Sequence, residues 1–156
     1  MSRQLLPLSV ELFWLLLIAA FSFLCVLPLD GVIARIFLQV NFFMAALLVF
    51  YFRAVLFFRQ VFYLKILAVQ ILFFIGNIVL FFMVLGKAQD MFFQFDTNDI
   101  TWFLAPGNEA TAIDVLKWFQ FYRNEFTLFS VGILILLVLL ELRIVAAFIQ
   151  RIKKIE

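Results

Sequence analysis

Long runs of apolar residues, separated by short clusters of charged or turn-forming residues, dominate this chain of 156 residues. A membrane-spanning helix needs about 20 consecutive apolar residues, within a range of roughly 17–25. Four stretches reach that length, at about 8–28, 32–54, 62–85 and 126–149. The pattern therefore predicts an all-α integral membrane protein, a single domain with four transmembrane helices.

The boundary between the second and third predicted spans lacks the usual turn residues. Neither glycine nor proline occurs from Val32 to Ile75. One helix over that stretch would be roughly twice as long as the ~30 Å hydrocarbon core of a bilayer. We therefore expect the chain to turn where Arg53, Arg59 and Lys65 bring it to water.

A more polar segment, residues 86–125, separates the third and fourth predicted spans. Pro106 and Gly107 are typical of a turn, and Thr111 with Asp114 has the spacing of a capping box. Apolar residues then recur every three or four positions, which predicts a short amphipathic helix at the membrane interface. The alternative is a stem that runs straight into the fourth span. The aromatic residues of this segment are candidate contacts with a partner: Trp102, Trp118, Phe119 and Tyr122.

Several charged residues fall at the same predicted depth in the membrane. This depth is near the end of the bundle at which both termini lie. Two acids, Glu11 and Glu141, fall there among several bases, including Arg53, Arg59 and Arg143. Opposite charges at one depth predict ion pairs between helices, since isolated charges are costly in a membrane. The alternative is a proton or ion path ending at Glu141, although the outer half of the fourth span offers only hydroxyl groups as a relay.

Uncharged polar residues also lie within the predicted spans. Gln70 and Asn77 are seven positions apart and so share one helix face, and Gln39 lies one turn from Arg35. Such groups typically form hydrogen bonds across helices. A small channel would instead require Gln39, Gln70 and Asn77, together with Asn41, to line one cavity.

The composition excludes several kinds of metal site and catalytic site. The chain has no histidine and one cysteine, Cys25, so histidine-ligated metals, a histidine base and an intrachain disulfide are excluded. The stretch 95–99 (FDTND) begins like a calcium loop, but Ile100 stands where that loop needs an oxygen ligand. We expect no cofactor, no metal and no enzymatic activity. An enzyme acting on a lipid would have to use Glu11 or Glu141 near the headgroups.

The distribution of basic residues indicates an orientation. Of the 12 lysine and arginine residues, eight fall on the side of the termini and four on the other. The positive-inside rule then predicts that both termini are cytoplasmic. The residues before Cys25, Phe23 and Leu24, are bulkier than a signal-peptide cleavage site prefers, so we expect the first span to be retained. A bacterial inner membrane fits this pattern best, and a mitochondrial inner membrane also fits it.

The net charge and the many phenylalanines indicate which kinds of molecule this protein binds. The net charge is only +2 and there is no long basic run, which argues against binding to nucleic acid. The 24 phenylalanines give the helices bulky faces suited to lateral contacts. We therefore expect a non-catalytic subunit that assembles with and stabilises a larger membrane protein complex. Its partners would be other membrane subunits or further copies of this chain, together with membrane lipids. The alternative is a small oligomeric channel or transporter.

Overall fold

Four long helices account for most of the residues that the computed structural model describes, which are 2–58, 64, 66–105 and 112–153. We label them α1 (Ser2–Val26), α2 (Arg35–Leu56), α3 (Leu67–Thr97) and α4 (Ala112–Ile152). Each of the four is long and apolar enough to cross a membrane. The all-α class and the four candidate spans agree with the sequence pattern and fit a multi-pass membrane protein.

Two of the helices are much longer than a bilayer requires. At 1.5 Å per residue, the 22 residues of α2 measure about 33 Å, close to the thickness of the hydrocarbon core. The 31 residues of α3 measure about 46 Å, and the 41 residues of α4 measure about 62 Å. Both α3 and α4 therefore continue well past their uncharged stretches.

The predicted loop 86–125 is shorter in the structure, because α3 continues to Thr97 and α4 begins at Ala112. The separate interfacial helix is not seen, since residues 112–125 form the first turns of α4. The physical reason is that the apolar side of these turns packs on α2 and α3 instead of lying on a membrane surface. Residues 106–111, which include the predicted turn and Thr111 of the capping box, lie outside the described part of the chain.

The helices pack in the order α1, α2, α4, α3, with α2 and α4 in contact at the centre. A hydrogen bond from Asn41 to Glu125 and the close approach of Leu48 to Gly132 show that α2 and α4 run parallel. α1 packs against α2, and α3 packs antiparallel against α4. The side chains between the helices form one continuous apolar core.

The α1–α2 connection and the α3–α4 connection lie together at one end of the bundle, which we call the connection end. The Ala34 N–H donates to the Phe103 carbonyl at 2.8 Å, and the Ala105 N–H donates to the Val32 carbonyl at 2.9 Å. Gly31 adopts a left-handed φ of 76° between these elements, a conformation that glycine adopts without steric cost. These bonds satisfy backbone groups that would otherwise be left unpaired where the helices end.

Candidate functional site

At the end of the bundle opposite the connection end, a buried ion pair joins α1 to α2. The Arg53 guanidinium lies 2.6 Å from the Glu11 carboxylate, and the Arg53 side chain is only 5% exposed. The same guanidinium stacks over the Trp14 ring, 5.2 Å from its centroid. A carboxylate and an aromatic face together offset part of the cost of burying the cation.

At the same end of the bundle, a polar cluster involves side chains of α2, α3 and α4. The Tyr51 hydroxyl of α2 donates to the Asn77 side-chain carbonyl of α3 at 2.8 Å. The Asn77 amide approaches the Glu141 carboxylate of α4 without reaching hydrogen-bonding geometry. Close by along α3, the Gln70 amide donates to the Leu64 carbonyl at 2.6 Å. The Tyr51 bond thus joins α2 to α3, and the Gln70 bond holds the chain before α3 against that helix.

The other predicted members of this charged group are placed differently. Arg143 is exposed on the surface of α4. Arg59 lies outside the described residues. The predicted pairing of acids with bases is therefore seen for Glu11 with Arg53, and Glu141 has Asn77 as its polar neighbour.

A second polar cluster lies near the connection end, around an acid that the sequence analysis did not single out. The Asn41 amide of α2 donates to the Glu125 carboxylate of α4 at 2.7 Å. The Cys25 thiol of α1 lies beside the same carboxylate. The Tyr122 hydroxyl donates to the Phe37 carbonyl of α2 at 3.3 Å. Sequence reasoning missed Glu125 because it ends the polar segment; the available signal was its spacing of three from Tyr122 on one face.

Apolar packing separates the two polar clusters. Glu125 and Glu141 are 16 positions apart on α4, or about 24 Å. The buried α4 side chains between them are mostly apolar, including Phe129, Ile133 and Leu137. The buried Ser130 hydroxyl donates to a carbonyl of its own helix. The described residues of a single copy therefore provide no continuous polar route from one end to the other.

The four aromatic residues predicted to contact a partner differ in how far they are buried. Phe119 and Tyr122 are buried in a cluster centred on Phe95, whose ring centroid is 5.8 Å from each of theirs. Trp118 is partly buried. Trp102 is half exposed and packs edge-on against Phe37. Trp102 and Trp118 are thus the two that remain accessible from outside.

The outer face of α3 carries charges at the depth of the apolar core. Phe92 of α3 packs against Phe126 of α4, and Asn77 approaches Glu141. Lys87 lies between those two levels, as does Asp90 three residues further along α3. Both residues are exposed, and within the described residues neither forms an ion pair.

Comparisons with protein-family models, with curated proteins and with solved structures find no match to this chain.

Proposed function

We propose that this protein is a non-catalytic, multi-pass membrane subunit that assembles with a larger membrane protein complex through the outer face of α3. The observation that carries the proposal is the exposed charge of Lys87 and Asp90 beside the uncharged stretch of α4. A charged side chain near the centre of a membrane helix costs about 2.5–3.5 kcal/mol on insertion scales. A partner that pairs with these charges removes that cost.

The shape of this face also suits a neighbouring helix. Gly76, Met83, Lys87, Asp90 and Gln94 follow one another at intervals that keep them on one side of α3. We call this set the α3 stripe. A Cβ atom added at Gly76 would meet no heavy atom within 4 Å, so the surface there is open. Small residues of this kind let a second helix approach closely.

The partly buried acids support a structural role over a catalytic one. Glu11 pairs with Arg53 across α1 and α2, and Glu125 accepts from Asn41 across α2 and α4. Each of these carboxylates is occupied in joining helices, as expected of a scaffold.

A small oligomeric channel is the second candidate. The specific observation in its favour is the same α3 stripe, since several copies meeting along it would line a path with lysine, aspartate and glutamine side chains. The apolar packing between the two polar clusters argues against an ion route through the centre of one copy. Such a path would therefore run between copies.

We further place the protein in a bacterial inner membrane, with both termini cytoplasmic. In this orientation the first turns of α4 extend beyond the hydrocarbon core on the outer side. Trp102 and Trp118 would then lie at headgroup level, where tryptophan is enriched.

Site-specific photo-crosslinking tests the proposal, with a crosslinking amino acid at Met83 or, as a control, at Phe82. Both side chains are 65% exposed, but they point about 100° apart around the helix. We expect Met83 to capture another membrane subunit and Phe82 to capture little protein. Replacing both Lys87 and Asp90 by leucine should abolish capture while the helical content stays unchanged.

Three results would count against the subunit role. Equal capture from Met83 and Phe82 would show that the α3 stripe is no special surface. A stable monodisperse monomer recovered in mild detergent would remove the need for a partner. Ion flux in liposomes containing only this protein would favour the channel.

A further inference from the structure

A groove of about 690 Å³ opens between α1 and α2 at the connection end. It is separate from the α3 stripe and from both polar clusters. Its walls are largely apolar and include Phe23 and Leu27 on one side and Phe42 on the other. The volume falls in the range of small-molecule sites, roughly 300–1,000 Å³.

Polarity changes along the groove. Asp30 lies in the α1–α2 connection, and Arg35 is the first residue of α2. Gln39 follows one turn further into α2, and Phe42 lies about a turn beyond it. The groove is thus charged at its mouth and apolar further in, which matches an amphiphile with a polar head and hydrocarbon chains.

The two charges at the mouth are available to a ligand. Asp30 and Arg35 are both exposed, and they form no ion pair with each other. One Asp30 oxygen accepts the Gly31 N–H at 3.1 Å, which leaves the carboxylate free to accept further donors. A site with one acid and one base is neutral overall, so it complements a head that carries both charges.

We propose that this groove binds one phospholipid whose headgroup joins a phosphate to a primary ammonium, as in phosphatidylethanolamine. The Arg35 guanidinium would hold the phosphate through paired hydrogen bonds. The Asp30 carboxylate would accept hydrogen bonds from the ammonium. The Gln39 amide offers a donor further in, where the ester carbonyls follow the phosphate. The acyl chains would lie along Phe23 and Phe42.

Native mass spectrometry of delipidated protein in dodecyl maltoside tests this site. The protein is titrated separately with dioleoyl phosphatidylethanolamine, phosphatidylcholine and phosphatidylglycerol. We expect one tightly bound phosphatidylethanolamine, with the other two lipids roughly tenfold weaker. Phosphatidylcholine should lose affinity because its quaternary ammonium cannot donate to Asp30. Phosphatidylglycerol should lose affinity because it has no ammonium.

Variants separate the roles of the two charges. Arg35→Gln should weaken phosphatidylethanolamine roughly tenfold, and Arg35→Lys should recover part of the loss. Asp30→Asn should remove the preference over phosphatidylglycerol. Lys117→Gln and Asp99→Asn change exposed charges outside the groove and serve as matched controls. Gln39→Trp, which fills the groove and leaves both charges in place, should reduce binding of all three lipids.

Glycerophosphoethanolamine, the headgroup without chains, distinguishes a lipid site from a simple phosphate site. We expect it not to displace bound lipid. The proposal is overturned if the headgroup alone displaces the lipid. It is also overturned if the three lipids bind equally well, or if the controls reduce binding as much as the Arg35 and Asp30 variants do.

Discussion

Two pairs of polar side chains inside the bundle are drawn from different helices. Glu11 meets Arg53, and Asn41 meets Glu125. A polar group without a partner is costly in hydrocarbon, because no water is available to replace the lost hydrogen bond. Each pair therefore fixes how two helices lie against one another and satisfies part of the hydrogen-bonding capacity of its members.

The ion pair between Arg53 and Glu11 can be tested by substituting its two residues. Arg53→Leu should destabilise the protein by about 3 kcal/mol, the lower end of the range for a broken buried pair, because the remaining carboxylate loses its partner. The lower end applies because the Glu11 side chain is 25% exposed. Replacing Glu11 by leucine as well should recover most of the stability, since no uncompensated charge then remains.

Unfolding by sodium dodecyl sulfate in mixed micelles measures these differences. Arg143→Leu is the control, because Arg143 is exposed on α4, and we expect it to change the stability little. Glu11→Leu alone completes the set of variants. If the losses of stability from Arg53→Leu and Glu11→Leu simply add in the double variant, the two side chains are not coupled and this prediction is wrong.

The individual helices show where a hydropathy pattern stops being informative. The hydropathy pattern predicts that the third span ends at about residue 85, where the uncharged run ends, but α3 continues to Thr97. Lysine, glutamine and aspartate interrupt an apolar run without interrupting a helix. The helix stops at Asn98, whose backbone is extended. Apolar length thus predicts the span, whereas backbone conformation decides the end of the helix.

The two glycines Gly132 and Gly76 give a matched test of helix packing. A Cβ atom added at Gly132 would lie 2.6 Å from the Leu48 Cδ1 atom, whereas at Gly76 it would meet nothing within 4 Å. Gly132→Leu should therefore force α2 and α4 apart and cost about 1–3 kcal/mol. Gly132→Ala should cost much less, because the end of the Leu48 side chain can move.

Gly76→Leu should change the stability of the isolated protein by less than about 0.5 kcal/mol. If α3 binds a partner, the same substitution should weaken capture at Met83. Thermal unfolding in detergent gives the stabilities, and crosslinking yield gives the second effect. A Gly76 variant as unstable as the Gly132 variant would contradict the arrangement in which α4 faces the core and the α3 stripe faces outward.

For the molecule as a whole, the connection end is closed by two segments that lie far apart in the sequence. Backbone hydrogen bonds join the chain near Ala34 to the chain near Phe103. Aromatic rings from α2, α3 and α4 pack beneath them, since Tyr122 of α4 contacts both Phe37 of α2 and Phe95 of α3. This closure gives the bundle two unlike ends, one capped by its connections and one held by the Glu11 pair.

The proposed orientation predicts which side of the membrane the connection end faces. Asp99 is exposed beside the α3–α4 connection, so Asp99→Cys in a Cys25→Ser background provides a single accessible thiol. In intact bacterial cells, a membrane-impermeant maleimide should label it from outside. Labelling only after the cytoplasmic face is opened would reverse the orientation and with it the placement of both termini.

The amino-acid sequence was enough to predict the all-α class and the four helices that are long and apolar enough to cross a membrane. A bilayer imposes a minimum apolar length and requires backbone groups to bond within each segment, so four long apolar runs are enough to predict four helices. The polar positions within those runs, such as Gln70 and Asn77, were also visible as candidates for contacts between helices.

The neighbours of each helix face, by contrast, are known only from the folded structure. Phe119 and Tyr122 form an apolar stripe that fits either a membrane surface or a neighbouring helix, and the structure places both side chains against α3. Glu125 ended a polar segment and yet lies against Asn41, 84 positions earlier in the chain. The periodicity of apolar residues shows which side chains share a helix face. It does not show whether lipid or protein covers that face, because both surroundings are apolar in a membrane. The partner of a face is therefore set by contacts between distant parts of the chain.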